Sequence, residues 1–314
     1  MRENNFRTHI ATGSFTLPVA VLVAAAVLCT AAPTADELWK ILAVVAVMTY
    51  ALIELSNRNA LLRVRSRMVS STYLVILAAC PFMAVWSTDL LPAVALVLTY
   101  FALFAAYQQP RPAGYAFHAG LFVGIGSLFY PPMILLEVVI VHCLLVQLRA
   151  LNWRSLLAVV FGAVLPYWFL AGWGIWENRI DTIFVPYLEA FNFGAPDYAA
   201  LTLPQMLVAG YVVVLSLCAA VHFTRTAYND KIRTRMYFYV FLVLEVVLVA
   251  ALALQPQRAN VLMHMLIVNS APIIAHHFTL GRGRALNVWF IISLVLLAGI
   301  IGTNYYLVLY AGSH

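Results

Sequence analysis

The chain has 314 residues, of which 64% are hydrophobic and only 10% charged. A soluble domain carries about 25% charged residues, so there are too few charges here to cover a water-facing globule. The formal charge of +6 sits in short cationic clusters between apolar runs and forms no single basic stripe, which argues against nucleic acid as a partner.

The count of structural units is therefore set by the bilayer, because each apolar run of about 20 residues is a potential span. Arg2 and Arg7 precede an apolar stretch from Phe15 to Ala32, with small residues after it. This imitates a signal peptide, but the run is long for one and is read as a retained first span. Further spans are expected over 38–55, 69–87, 90–108, 115–130, 131–148, 156–176, 205–224, 236–254, 259–278 and 286–310. The expected fold is an all-α polytopic helix bundle of about eleven spans (10–11), a single integral membrane domain over 1–314. The weakest boundary is Tyr130-Pro131-Pro132, where proline removes an N–H and clashes one turn back. Residues 115–148 are too many for one crossing of about 30 Å at 1.5 Å per residue. Two spans with a tight turn or one long kinked helix both fit, and charge parity favours two.

With the N-terminus inside, the inner segments hold Arg2, Arg7, Arg58, Arg63, Arg65, Arg67, Arg111, Arg149, Arg154, Arg225, Lys231, Arg233, Arg235, Arg282 and Arg284. Only Lys40, Arg179 and Arg258 remain outside, together with seven of the twelve acids. This asymmetry is what the enrichment of Lys and Arg in cytoplasmic loops demands, and it predicts a cytoplasmic N-terminus and a periplasmic C-terminus. The longest outer loop, 177–204, has apolar residues at helical spacing over Ile180–Leu188. A short amphipathic helix lying on the membrane face is expected there, broken by Asn192, Gly194 and Pro196.

Charges inside spans are functional hypotheses by default. Glu54 stands four residues before Arg58 and reads as an intrahelical ion pair. Glu137 and Glu245 have no basic residue within four positions. Both are expected to face the bundle interior, and a transporter would turn both toward one shared cavity. His264, Asn269, Ser270, His276 and His277 make the 259–278 span polar, with His276 and His277 expected at the cytoplasmic interface. No HxxxH or HExxH spacing occurs, and the four cysteines lie singly in apolar runs. No metal or other cofactor is expected. Gly120 and Gly124 form a small-xxx-small face suited to close helix contact.

At the outer edge, Asp36 and Glu37 form an acid pair followed by Lys40, and Arg258 lies in a Gln/Asn-rich loop. An acid there can serve as a general base, and an arginine can hold phosphate. A shared site requires Asp36, Glu37 and Arg258 within about 12 Å of one another, near a Debye length.

The stretch Ala119–Pro131, then Asn152-Trp153-Arg154-Ser155, then Phe161–Tyr167 resembles an uncharacterised family of multi-pass inner-membrane proteins of Gram-negative bacteria. That resemblance implies the bacterial inner membrane and carries no activity. The short spans, proline-broken helices and outer acid pair are also similar, in architecture only, to membrane glycosyltransferases that use lipid-linked sugars. The function expected on this likeness is handling or transferring a lipid-linked cell-envelope precursor at the periplasmic face. Membrane lipids and a polyprenyl-phosphate-linked substrate would be the partners. Asp36 or Glu37 would then act as base, with Arg258 and Lys40 holding phosphate. The alternative is a non-catalytic transporter or a scaffold subunit of an envelope assembly with membrane-protein partners; whether the chain is an enzyme stays open.

Overall fold

A computed structural model of the chain describes residues 6–308; Arg2 and the last two residues of the expected final span lie outside them. The described residues form helices and turns with no strand. In chain order the helices are α1 (Phe6–Thr12), α2 (Thr16–Ala31), α3 (Ala35–Asn59), α4 (Met68–Ala78), α5 (Leu91–Ala105), α6 (Ala113–Ser127) and α7 (Leu136–Val146). They continue as α8 (Trp153–Trp176), α9 (Ile180–Ile183), α10 (Val185–Glu189), α11 (Leu203–Thr226), α12 (Ile232–Leu254), α13 (Ala259–Leu280) and α14 (Arg284–Tyr306).

Seven helical segments are long and apolar enough to cross a membrane: those containing α3, α5, α8, α11, α12, α13 and α14. An eighth results if α1 and α2, bent by 84° at their junction, count as one broken span. The chain is thus built as a multi-pass membrane protein. On α8, Leu157, Phe161 and Trp168 face outward beside many other exposed apolar side chains. Trp153 stands at one end and Trp173 and Trp176 at the other. Aromatic rings at both ends of an apolar helix about 36 Å long are how interfacial belts are arranged.

The other expected spans hold shorter helices. The 69–87 segment contains only the 11 residues of α4, about 16 Å of rise, followed by two 3₁₀ turns at Pro81–Met83 and Thr88–Leu90. Cys80 adopts φ −116°, ψ 60°, because the residue before a proline is pushed out of the helical region. Tyr130 before Pro131 does the same at φ −136°, ψ 89°. There α6 stops, a 3₁₀ turn spans Pro131–Leu135, and α7 begins. The Gln108 N–H donates to the Leu148 carbonyl at 3.2 Å, so the chain from α6 through α7 doubles back to its start. The 115–148 segment is therefore a helical hairpin and not one kinked rod.

The chain divides into two compact units. One comprises residues 1–87, 198–235 and 266–314, and the other 88–197 and 236–265. In the second, α6 and α8 approach until their backbones nearly touch. A Cβ at Gly120 would stand 2.2 Å from the Val159 carbonyl oxygen, one at Gly124 2.6 Å from that of Ala163, and one at Gly162 2.2 Å from that of Phe117. Packing in a bilayer rests on such small-residue contacts, since lipid offers no hydrophobic drive between helices. The 177–204 segment holds two very short helices, α9 and α10, separated at Phe184, with Pro186 in the first turn of α10. The Tyr187 hydroxyl donates to the Leu128 carbonyl at the end of α6 (3.2 Å), and the Tyr167 hydroxyl to Ser127 Oγ (2.8 Å).

In the first unit, the freed carbonyl after α4 has a distant donor. Asn304 Nδ2, on α14, donates to the Ala79 carbonyl (2.8 Å) and also reaches that of Pro204 (3.4 Å). A helix ending early in an apolar surround needs such a donor, because no water is there to supply one.

Candidate functional site

The cation-bearing segments of the first unit converge at one of its ends. Arg7 on α1 is buried (4% exposed). Its backbone N–H donates to Asn287 Oδ1 (3.0 Å), and its Nη1 donates to the Phe278 carbonyl (2.5 Å). Ser66 Oγ donates to the Ala11 carbonyl. Asp230 sits at the centre, its carboxylate wholly enclosed. Arg63 Nε lies 2.7 Å from Asp230 Oδ1 as a charge contact, and His276 Nε2 lies 3.0 Å from Oδ2. Beside them the His222 and His277 rings meet edge-on at 4.6 Å, and Arg7 is within electrostatic reach of both. Segments from α1, the α3–α4 loop, the α11–α12 loop, α13 and the start of α14 are thereby tied together.

His276 and His277, expected at the cytoplasmic interface, are buried within α13. For His276 the reason is Asp230, whose enclosed carboxylate requires positive or donor groups around it. Asp230 carries a single signal in the sequence, a lone acid among Arg225, Lys231, Arg233 and Arg235. No ion pair joins Glu54 to Arg58, and both side chains are exposed. Holding two long exposed side chains in one geometry costs entropy that a surface pair scarcely repays.

Next to this charged end lies a cavity of about 630 Å³. Its walls are His9, Ile10 and Gly13 of α1, Val19, Ala20 and Val23 of α2, Met68, Ser71, Thr72, Val75 and Ile76 of α4, and residues of α11, α13 and α14. Ser14 and Phe15, in the bend between α1 and α2, and Thr16 complete one side. Phe278 lines the cavity with its side chain while its carbonyl binds Arg7, so wall and charged cluster share a residue. Most hydroxyls here are spent locally: Tyr211 on the Ser293 carbonyl (3.0 Å), and Ser71 on that of Arg67 (3.0 Å). Thr72 Oγ1 is buried with no hydrogen-bond partner. The volume is within the range of ligand pockets, about 300–1,000 Å³.

The sequence-nominated residues fall in both units. Asp36 and Lys40 form an exposed ion pair within α3 (2.5 Å). Glu37 lies in the helix's first turn, where its N–H donates to Thr34 Oγ1 (3.3 Å) and its carboxylate accepts from the Trp86 N–H (3.4 Å). Acids in that turn are favoured by the helix dipole. Arg258 is exposed and belongs to the other unit, at the end of the 3₁₀ turn Pro256–Arg258. It has the Tyr130 hydroxyl within electrostatic reach, and Tyr130 itself donates to Gln255 Oε1 (2.7 Å).

Glu245 is buried (6% exposed), within electrostatic reach of Tyr100. Glu137 lines a second cavity, of about 500 Å³, which Glu245 does not line. Asn269 is fully buried in α13. Among the described residues no group of three or more His, Cys, Asp or Glu is arranged to hold a metal ion.

Comparison with known proteins returns no matching family model, no matching curated protein and no matching solved structure.

Proposed function

We propose that this chain is a lipid-handling membrane protein that holds one long-chain lipid with a phosphate-bearing head, its chain in the 630 Å³ cavity and its head at the cation-rich end of the first unit. The observation that carries this reading is the juxtaposition itself: an almost wholly apolar cavity whose wall residue Phe278 is also the anchor of buried Arg7. A cavity of about 150 Å³ takes up benzene, and this one has about four times that volume, room for several segments of a chain. A chain moving from bilayer to cavity exchanges one apolar surround for another, so little hydrophobic energy is gained. Selectivity must then come from the head, and Arg7, anchored on the cavity residue Phe278, is the group proposed to supply charge-assisted bonds to it. A lipid-linked envelope precursor is one member of the class. The activity proposed is binding, with no chemical step.

The outer-rim residues have local partners, Asp36 with Lys40 and the Glu37 carboxylate with the Trp86 N–H, and they line neither cavity. We orient the cation-rich end toward the cytoplasm of a bacterial inner membrane by the bias of Lys and Arg. The short helices α4, α6 and α7 are taken to complete crossings with their flanking turns. The contacts that tie Arg7, Arg63, Asp230 and His276 at one end, and Asn304 to Ala79 at the other, support that arrangement.

The test is native mass spectrometry of protein purified from membranes and re-equilibrated with equal phosphatidylglycerol and phosphatidylethanolamine. Wild type should retain one phosphatidylglycerol per chain in several-fold preference. Val75→Trp and Val23→Trp, which fill the cavity from two walls, should each lose it. Retention unchanged by both substitutions would overturn the proposal.

A further inference from the structure

The second cavity, in the unit built from residues 88–197 and 236–265, carries a separate inference. Its volume is about 500 Å³, and its lining is Ile134, Val138 and Val141 of the α7 side, Val159, Val160, Ala163 and Val164 of α8, with Glu137 and Tyr167. Glu137 supplies its only carboxyl, and no Lys, Arg or His lines it. Both carboxyl oxygens of Glu137 are buried, and neither has a hydrogen-bond partner. Tyr167, the other polar residue of the lining, has its hydroxyl donating to Ser127 Oγ at 2.8 Å and so turned to a different acceptor. The flanking side chains of Val138, Val160 and Val164 are exposed on an apolar helix surface, so the groove is reached from the hydrocarbon side.

A buried carboxyl with neither oxygen paired costs free energy that only a donor can recover. Charged side chains at membrane depth are retained where they meet a partner or a substrate. The walls offer Glu137 no donor and no cation, so the complement must come with the ligand. When ionised, the two oxygens accept only and provide about four lone-pair sites. A primary ammonium has three donors and a positive charge, matching that need; a quaternary ammonium lacks donors and an alcohol lacks charge. We propose that this groove is a binding site for a lipophilic primary amine, a protonated amine on an apolar tail that enters from the bilayer and seats its ammonium on Glu137. The site differs from the lipid cavity in unit, wall and sign of charge, and stands independently of it.

Full-length protein in phosphatidylcholine nanodiscs is treated with dicyclohexylcarbodiimide, an apolar reagent that adds to carboxyl groups in membranes, and modified peptides are mapped by mass spectrometry. Glu137 is expected to be labelled, and dodecylamine is expected to suppress that labelling at least tenfold. Dodecanol and dodecyltrimethylammonium, at equal membrane concentration, should leave it within twofold of the untreated level. Saturable dodecylamine binding should fall at least tenfold in Glu137→Gln and in Val160→Trp, the latter retaining the carboxyl while filling the groove. The wild-type labelling decides the matter even where a variant does not fold. No labelling at Glu137, labelling insensitive to dodecylamine, or equal suppression by all three amphiphiles would each overturn the proposal.

Discussion

Two glycines on one helix should respond to the same substitution with opposite signs. Gly162 and Gly172 both lie within α8. A Cβ at Gly162 would stand 2.2 Å from the Phe117 carbonyl oxygen and 2.7 Å from the Leu121 nitrogen, whereas one at Gly172 meets nothing within 4 Å. Ordinary contact begins near 3.4 Å, so Gly162→Ala must open the α6–α8 seam locally by about 1.2 Å. Backbone atoms cannot swing aside, so the whole interface yields. Gaps of about 0.5–1 Å forfeit a quarter to a half of each dispersion well along the seam. Overpacking of this kind costs about 1–3 kcal/mol. At Gly172 the substitution only removes the excess backbone freedom of glycine, a gain of about 0.5–1 kcal/mol. The two variants should thus differ by about 1.5–4 kcal/mol, or several degrees in Tm. Thermal unfolding in one detergent, followed by tryptophan fluorescence, measures the difference. Equal Tm values, or a more stable Gly162→Ala, would refute the seam.

Asp230→Asn should destabilise the protein by somewhat less than the about 3–5 kcal/mol of a broken buried pair, because the Arg63 side chain is 38% exposed and keeps part of its hydration; the same unfolding assay reads it. Asn304→Leu removes the donor from the Ala79 carbonyl and should cost about 1–3 kcal/mol, whereas Asn304→Gln should recover part of the loss. For orientation, cysteines placed at Arg65, Arg154 and Arg233 should react with a membrane-impermeant maleimide only from the cytoplasmic side, and one at Asp181 only from the periplasmic side. Reaction of the Asp181 and Arg233 positions from the same side would reject the assigned sidedness.

The helical character of the chain was open to reading because apolar runs and breakers are local signals. Each expected span contains a helix, and Pro131 interrupts the chain at the expected Tyr130-Pro131-Pro132 boundary. Gly120 and Gly124 mark a face for close helix contact by spacing alone; that α8 is its partner comes from the structure. Helix length was harder to read. Hydropathy runs continuously through 69–87, but after Pro81 the chain takes 3₁₀ turns, and α4 ends at Ala78. What stabilises that early stop is Asn304, and a donor more than two hundred residues away leaves no trace in a sliding window.

The site was obscured for a related reason. A carboxylate at a loop edge reads as solvated, and Asp230 is surrounded in sequence by cations that make it look like part of a mixed surface patch. Its enclosure depends on Arg63 and His276, contributed by two other segments. Asp36 and Glu37, nominated as an adjacent acid pair, stand in the first turn of α3, where the helix dipole favours acids. Glu137 also stands in a first turn, that of α7, so position alone does not separate it from the outer pair; its two buried, unpaired oxygens do. Applied along the chain, that distinction moves attention from the outer acid pair to Asp230 and Glu137. The protein answers the first from within, through Arg63 and His276. It offers the second no donor, which is why Glu137 is the residue at which a ligand has the most to contribute.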